Sequence, residues 1–264
     1  MQPFLKWPGG KRWLATQNGN LIPDNFNHYF EPFLGSGAVF FSILPDHSTI
    51  SDINQELINL YTVMRDQPQQ LQDIMRKHQE QHCNEYYYLV RSETPTNAVE
   101  RAGRMLYLNR TCFNGMYRVN RQGAFNVPIG TKTNCVYDID QFEEYSDALR
   151  NAEIISCDFA NVIGRANDGD LVFVDPPYAK SKGSSFIKYN QSLFTWEDQT
   201  RLHAALNQAR ERGALIVLTN ANCQEIQELY VNSGYTAHTL SRHSTMSGRV
   251  ENRGIIEELI LTSF

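Results

Sequence analysis

Two rhythms of apolar and polar positions divide the chain. From Ala152 onward, short apolar runs alternate with segments of helical period. AEIISCDF (152–159), DLVFVDPPY (170–178), ALIVLTNAN (214–222) and IIEELILTSF (255–264) read as strands, each a compact run rich in β-branched or aromatic residues. Between them, Thr195 and Asp198 form a capping box that opens a helix on Leu202, Ala205, Leu206 and Ala209, which Gly213 ends. CQEIQELYVNSG (223–234) supplies another helix. Strands separated by helices predict an α/β fold, a mostly parallel sheet with helices on both faces.

The earlier part begins in the same way and then departs. YFEPFLGSGAVFFSIL (29–44) predicts a strand, a glycine turn and the start of a buried helix. STISDINQELINLYTVM (48–64) predicts a strand ending at Asp52, then a helix with Leu57, Leu60, Tyr61 and Met64 on one face. Pro68 breaks that helix; Leu71, Ile74 and Met75 begin a second, and a third runs from Ala98 to Arg110. Residues 54–144 lack the strand–helix alternation and read as a mainly helical insertion. The expected division is a discontinuous domain of residues 1–53 and 145–264, with 54–144 inserted.

Composition narrows the class. A 264-residue chain with 41% hydrophobic and 20% charged residues has the make-up of a folded protein with a sizeable core. No apolar run approaches a membrane span, and MQPFLKWPGGK carries no apolar leader core. Five cysteines without a C-x-x-C pair argue against a zinc site or a disulfide framework and for a reducing cytoplasm. The net charge of −5 gives no global sign of a nucleic-acid partner.

Three stretches carry candidate chemistry. In DLVFVDPPYAK (170–180) a core strand runs into Asp175, Pro176, Pro177 and Tyr178. Two prolines cannot continue a hydrogen-bonded ladder, so Asp175 and Tyr178 stand at the lip of the sheet, where open α/β folds bind ligands. Taken alone, the same residues also make an ordinary strand-ending turn. In EPFLGSGAVF (31–40), Gly35 and Gly37 occupy a strand-to-helix turn that lets backbone approach a ligand. A bare G-x-G is by itself an ordinary tight turn; what strengthens it is Asp52, which ends the next strand where an acidic residue grips ribose hydroxyls. The third glycine of a dinucleotide fingerprint is missing, which favours a nucleoside over a dinucleotide. In FLKWPGGKRWL (4–14) a glycine turn can aim Lys11 at a carboxylate while Trp7 covers an apolar part of the ligand; Lys6 and Arg12 flank it. A solvated arm with a stray tryptophan is the plainer reading of that stretch.

Together FLKWPGGK, EPFLGSGAVF, SDIN, LYLNRTCFNGMYRVNRQGAFNVPIG (106–130) and DPPY, in this order, resemble the Dam-like D12 class, alpha group, of site-specific DNA adenine-N6 methyltransferases. The resemblance spans Phe4 to about Leu261. It implies a Rossmann-like S-adenosylmethionine-dependent methyltransferase sheet plus an inserted, mainly helical target-recognition domain. It implies S-adenosyl-L-methionine as cofactor, double-stranded DNA as partner, and a base flipped out of the duplex. Asp175 and the Pro176 carbonyl would accept the amino hydrogens of adenine, with rigid Pro176 and Pro177 fixing the loop and Tyr178 stacking on the base. Trp7, Lys11, Phe33, Gly35, Gly37, Asp52, Asp158, Phe159 and Asp175 match the family's cofactor contacts, with Asp158 and Phe159 expected at the end of their strand. No metal is required.

On the DNA side the expected contacts are Arg110, Asn114, Met116, Arg118, Asn120, Asn126, Pro128 and Lys132. Residues 101–132 hold Arg101, Arg104, Arg110, Arg118, Arg121 and Lys132 without one acidic residue, the electrostatic footprint of a DNA surface, with a solvated helix face and hairpin as the plainer reading. Arg118 matches the guanine-reading arginine, and Met116 and Pro128 match apolar contacts for a thymine methyl. Lys180, Lys182, Lys188 and SRHSTMSGRVENR (241–253) are expected beside the flipped strand. GATC is the implied target. One departure bears on it: Thr131 and Lys132 stand where the well-known Dam enzymes carry Arg and Tyr. The further expectations are a monomer in the cytoplasm, associated with the nucleoid through DNA, and a cognate restriction endonuclease acting separately. Methylation of another DNA site or of RNA, protein-glutamine methylation (which usually has Asn in place of Asp175), and a non-catalytic DNA-binding module on the same fold are the competing readings.

Overall fold

A computed structural model describes residues 1–11, 13–14, 21–120, 122–136, 141–178, 194–243 and 255–264. The predicted contacts at Arg12, Arg121, Lys180, Lys182, Lys188 and 244–253 lie outside these residues. The chain forms two compact units. One comprises Met1–Gln17, Gly35–Leu44 and Asn54–Ser156; the other comprises Asn18–Leu34, Pro45–Ile53 and Cys157–Phe264. These are units of packing and do not by themselves divide the functions.

The first unit is mainly helical. The glycine turn leads, as expected, into a buried helical turn, α1 (Phe40–Ile43), stopped by Leu44 in the left-handed region. There follow α2 (Gln55–Asp66), α3 (Pro68–Gln81), α4 (Asn84–Ser92), α5 (Ala98–Thr111), α6 (Gln141–Leu149) and the strand β3 (Ala152–Ile155). Asn54 caps α2 by accepting from the amides of Glu56 and Leu57, and Asn97 caps α5 in the same way. Pro68 ends α2 and sits in the first turn of α3, where its missing N–H costs nothing. Helix α5 is the buried centre: Ala102, Met105, Leu106, Tyr107 and Leu108 are all buried. A β-carbon on Gly103 would collide with Ile74, so this glycine lets α3 and α5 pack closely.

The second unit carries β1 (Tyr29–Glu31), β2 (Ser48–Ser51), β4 (Leu171–Val174), β5 (Leu215–Ala221), β6 (Thr236–His243) and β7 (Ile255–Thr262), with helices α7 (Phe159–Ile163), α8 (Trp196–Glu211) and α9 (Gln224–Val231). Within this unit the strand order is β2-β1-β4-β5-β7-β6. β1 runs parallel to β2 and β4, and β4 runs parallel to β5. β7 is antiparallel to both β5 and β6, so the sheet is mixed. The parallel part expected from the sequence runs through β2, β1, β4 and β5, and the β7–β6 end departs from it by antiparallel pairing. β4 is buried along its whole length, as expected for a central strand. The capping box is present: Asp198 N–H donates to Thr195 Oγ1 at 3.1 Å and Thr195 N–H to Asp198 Oδ2 at 3.0 Å.

Candidate active site

In the second unit the candidate residues gather at the carboxyl ends of the parallel strands. The chain leaves β1 for β2 on one side, and later enters β4 on the other. Such a reversal opens a crevice beyond the strand ends, the favoured ligand position in open α/β sheets. Phe33 follows β1, Asp52 follows β2 and Asp175 follows β4. The amide of Leu34 donates to Ser51 O at 2.9 Å, tying the loop after β1 to the end of β2.

Aromatic rings line one part of this edge. Phe33, half-buried, stacks on Phe159 with centroids 5.4 Å apart and meets Phe194 edge-on at 5.7 Å. Asp158 and Phe159 do not end a strand: β3 stops at Ile155, and Asp158 is the N-cap of α7 through a 3.0 Å bond from the amide of Ala160. An Asp before an apolar helical turn is a cap signal, and here it overrides strand continuation. Arg201 of α8 donates to both Asp158 carboxylate oxygens at 3.0 Å and lies over the Phe159 ring at 5.0 Å.

The D-P-P-Y segment is anchored from the neighbouring strands. Thr219 Oγ1, fully buried on β5, donates to Asp175 Oδ1 at 2.6 Å. Pro176 is buried, Pro177 exposed, and Tyr178 half-buried, its hydroxyl a long 3.4 Å from Oε2 of buried Glu258 on β7. Asn220, the next residue of β5, donates to Gln199 Oε1 at 3.1 Å, and Gln199 donates to Tyr230 Oη at 2.7 Å. This chain of buried polar groups locks the end of β5 to α8 and α9.

The first unit holds the other candidates. Trp7 stacks on Tyr117 with centroids 5.2 Å apart and planes 21° apart. Its indole lies so close to Gly35 that an added β-carbon would come within 2.8 Å of Trp7 Cδ1. Gly35 and Gly37 have φ of +49° and +62°, the left-handed region that favours glycine. Tyr61 donates to Gly35 O at 3.2 Å and braces that turn. Lys11 is 3% exposed, and its ammonium donates to Gly9 O at 2.6 Å.

The basic run is less basic on its surface than in its sequence. Arg101 pairs with Glu56, and Arg104 donates to the carbonyls of Val90 and Arg91. Arg110 is buried, donating to Cys135 O at 2.9 Å and Phe4 O at 3.4 Å. Arg118 is exposed on a hairpin closed by the Val119–Phe125 bridge, and Asn126 Oδ1 accepts from its Nε at 2.8 Å. Asn120 shapes the same hairpin by accepting from the amides of Gln122 and Ala124. Asn114, Pro128 and Lys132 are exposed and Met116 half-buried. Partial burial, and then the neighbouring Lys132 ammonium, push Lys6 below the usual lysine range. Thr219, Glu258, Phe194, Arg201 and Tyr117 carried no sequence signal of a role, because each acts through a partner distant in the chain.

Comparison with known proteins identifies the family. A family profile described as D12 class N6 adenine-specific DNA methyltransferase matches residues 7–246. The chain is 39% identical to the type II methyltransferase M1.LlaDCHI of Lactococcus lactis subsp. cremoris, covering 100% of this chain and 96% of that protein. It is 33% identical to the type II methyltransferase M.MjaIII of Methanocaldococcus jannaschii, covering 99% of each. With the DNA adenine methylase of Vibrio cholerae serotype O1 it shares 30% identity over 97% of this chain and 94% of that enzyme. This chain therefore belongs to the D12 class of N6 adenine-specific DNA methyltransferases, and is an adenine-specific DNA methyltransferase that uses S-adenosyl-L-methionine.

Proposed function

We propose that the enzyme methylates the N6 amine of adenine in duplex GATC sites, on a base turned out of the helix, with Asp175 and the Pro176 carbonyl as acceptors for the amine. The observation that carries this reading is Asp175, which directly follows the buried strand β4 at the strand-order reversal and has one carboxylate oxygen bonded to Thr219. Adenine N6 is a poor nucleophile because its lone pair is delocalised into the ring. Two acceptors on its hydrogens draw the nitrogen toward tetrahedral geometry and free that pair. Pro176 suits the second role because its ring fixes φ and hence the direction of the chain at the carbonyl. Tyr178 stacks on the extruded base, whose removal from the duplex is what admits the reacting atom.

When bound, S-adenosylmethionine supplies a methyl group already activated by the sulfonium charge. The residues present fit it in kind: carboxylates at 52 and 158, half-buried Phe33 against Phe159, and the Gly35–Gly37 turn under Trp7. Asp52 would hold the ribose hydroxyls, Phe33, Asp158 and Phe159 the adenine, and Trp7, Lys11, Gly35 and Gly37 the methionine end. The protein's own contribution is then alignment, with no covalent nucleophile on the chain. In this reading the catalytic domain is a Rossmann-like sheet with helices on both faces, built from residues 1–53 and 145–264. Residues 54–144 form the target-recognition insertion.

For the duplex, the exposed fork of Arg118, steadied by Asn126, suits O6 and N7 of a guanine. Met116 and Pro128 meet a thymine methyl; Asn114 and Lys132 contact the backbone. Asn120 and Arg110 support from behind, one shaping the hairpin and the other bracing Cys135 and Phe4. Exposed Thr131 and Lys132 favour a second reading, a related target differing from GATC at one position. The enzyme acts as a cytoplasmic monomer, and the type II relatives favour a separately acting restriction endonuclease of the same specificity. Asp175→Ala tests the chemistry. It should lower methyl transfer by at least about a hundredfold, on the scale of losing a group that handles the reacting amine's protons, while DNA affinity and melting temperature hold. Near-normal turnover in that variant removes Asp175 from the mechanism.

A further inference from the structure

We infer that Thr219 is a positioning residue for methyl transfer, holding the Asp175 carboxylate in its working orientation from the adjacent strand; this rests on the reading of Asp175 as the acceptor for N6. β5 reads Leu215, Ile216, Val217, Leu218 and then Thr219 and Asn220, two polar residues that are both fully buried. A buried hydroxyl costs free energy unless it is hydrogen-bonded. Thr219 meets that demand with its donation to Asp175 at 2.6 Å, while Val174 O lies at a marginal 3.5 Å. The shorter distance falls in the range of a hydroxyl bound to an ionised carboxylate.

The register explains how the two meet. Val174 pairs with Leu218 across parallel β4 and β5, so the next residues, Asp175 and Thr219, stand side by side at the carboxyl edge. Thr219 is a rigid donor for two reasons. Its β-branched side chain has restricted χ1, and its strand is paired on both sides, with β4 and with β7. The Asn220–Gln199–Tyr230 chain fixes the same strand end from behind. A carboxylate offers about four lone-pair directions, so one bond from Thr219 limits its rotation and leaves it able to accept from the amine. Thr219 touches the reaction only through Asp175.

The test compares Thr219→Val, which keeps shape and removes the donor, with Thr219→Ser, which keeps the donor. Wild type, both variants and Asp175→Ala are assayed by transfer of labelled methyl groups from S-adenosylmethionine to adenine-unmethylated bacterial DNA. Melting temperatures and KM for both substrates are measured in parallel. Thr219→Val should lower kcat by about tenfold to a hundredfold, the scale of a lost hydrogen bond to a charged group, with both KM values unchanged. Thr219→Ser should recover most of that loss. Wild-type kcat in Thr219→Val overturns the inference. So does a serine variant as impaired as the valine one, or a loss that follows melting temperature and KM instead of kcat. If Thr219→Val does not fold, Thr219→Ala replaces it in the same comparison with serine. An active Asp175→Ala would overturn the assignment of Asp175 itself, a failure distinct from that of Thr219.

Discussion

Replacing Gly35 by alanine tests whether the turn under Trp7 is built as described. Two costs add. Gly35 has φ of +49°, and an L-residue held in the left-handed region loses about 1–2 kcal/mol. The new methyl would also stand 2.8 Å from Trp7 Cδ1 and 3.2 Å from Nε1, closer than carbon atoms pack, so the indole must move. Overpacking of this kind costs about 1–3 kcal/mol. Gly123→Ala is the internal control. It has φ of +80° but nothing within 4 Å of the added carbon, so only the backbone cost remains. Both glycines belong to the same packing unit. Denaturant unfolding followed by circular dichroism should show Gly35→Ala less stable than Gly123→Ala by about 1–3 kcal/mol. Because the indole would also leave its stack on Tyr117, calorimetry should show S-adenosylmethionine binding about tenfold weaker or more in Gly35→Ala alone. Equal destabilisation in the two variants, with unchanged cofactor affinity, would refute the close packing of Trp7 on Gly35 and its role.

Arg118→Ala should lose about 1–3 kcal/mol of discrimination at one guanine, measured as methylation of single-base variants of the site, whereas full guanine preference would remove its assignment. Lys132→Ala should weaken binding evenly on all sequences and lower the salt slope by about one unit; a changed base preference with the slope intact would make Lys132 a reader instead. His78 should give the fold a pH-dependent weakness. Burial lowers its pKa from 6.5 to about 4, so the unfolded chain binds the proton first, and stability falls as pH drops from about 6.5 to about 4, by up to about 3 kcal/mol. His78→Gln should flatten that part of the stability curve, and identical slopes in variant and wild type would contradict the burial.

Much of the fold was legible because strong local signals agreed with the packing. The Thr195–Asp198 capping box, the periodic face of α2 and the wholly apolar β4 each name their element without help from distant residues. The misses have specific causes. Among the described residues β6 pairs with β7 alone, at the end of the strand order, and its polar composition hides an identity that the backbone ladder supplies. In α4, three consecutive tyrosines blur the helical period; only Tyr87 and Val90 are buried, and the cap is the unusual Cys83 sulfur. At the site, sequence singled out the chemical groups, Asp175 and Arg118 among them, because their types and spacing carry meaning. It could not reveal that Arg101, Arg104 and Arg110 bond within the protein, since Glu56 and the receiving carbonyls of Val90 and Cys135 lie 14 to 45 residues away in the chain. The same holds for Thr219, whose partner is 44 residues distant.

The most direct test is to express the chain in a host free of DNA adenine methylation and sequence the host DNA with detection of modified bases. N6-methyladenine should be found at GATC on both strands, and none when Asp175→Ala is expressed to the same level. DNA without methyladenine under the wild-type chain, methylation at a site unrelated to GATC, or the same pattern from Asp175→Ala would contradict the proposed function.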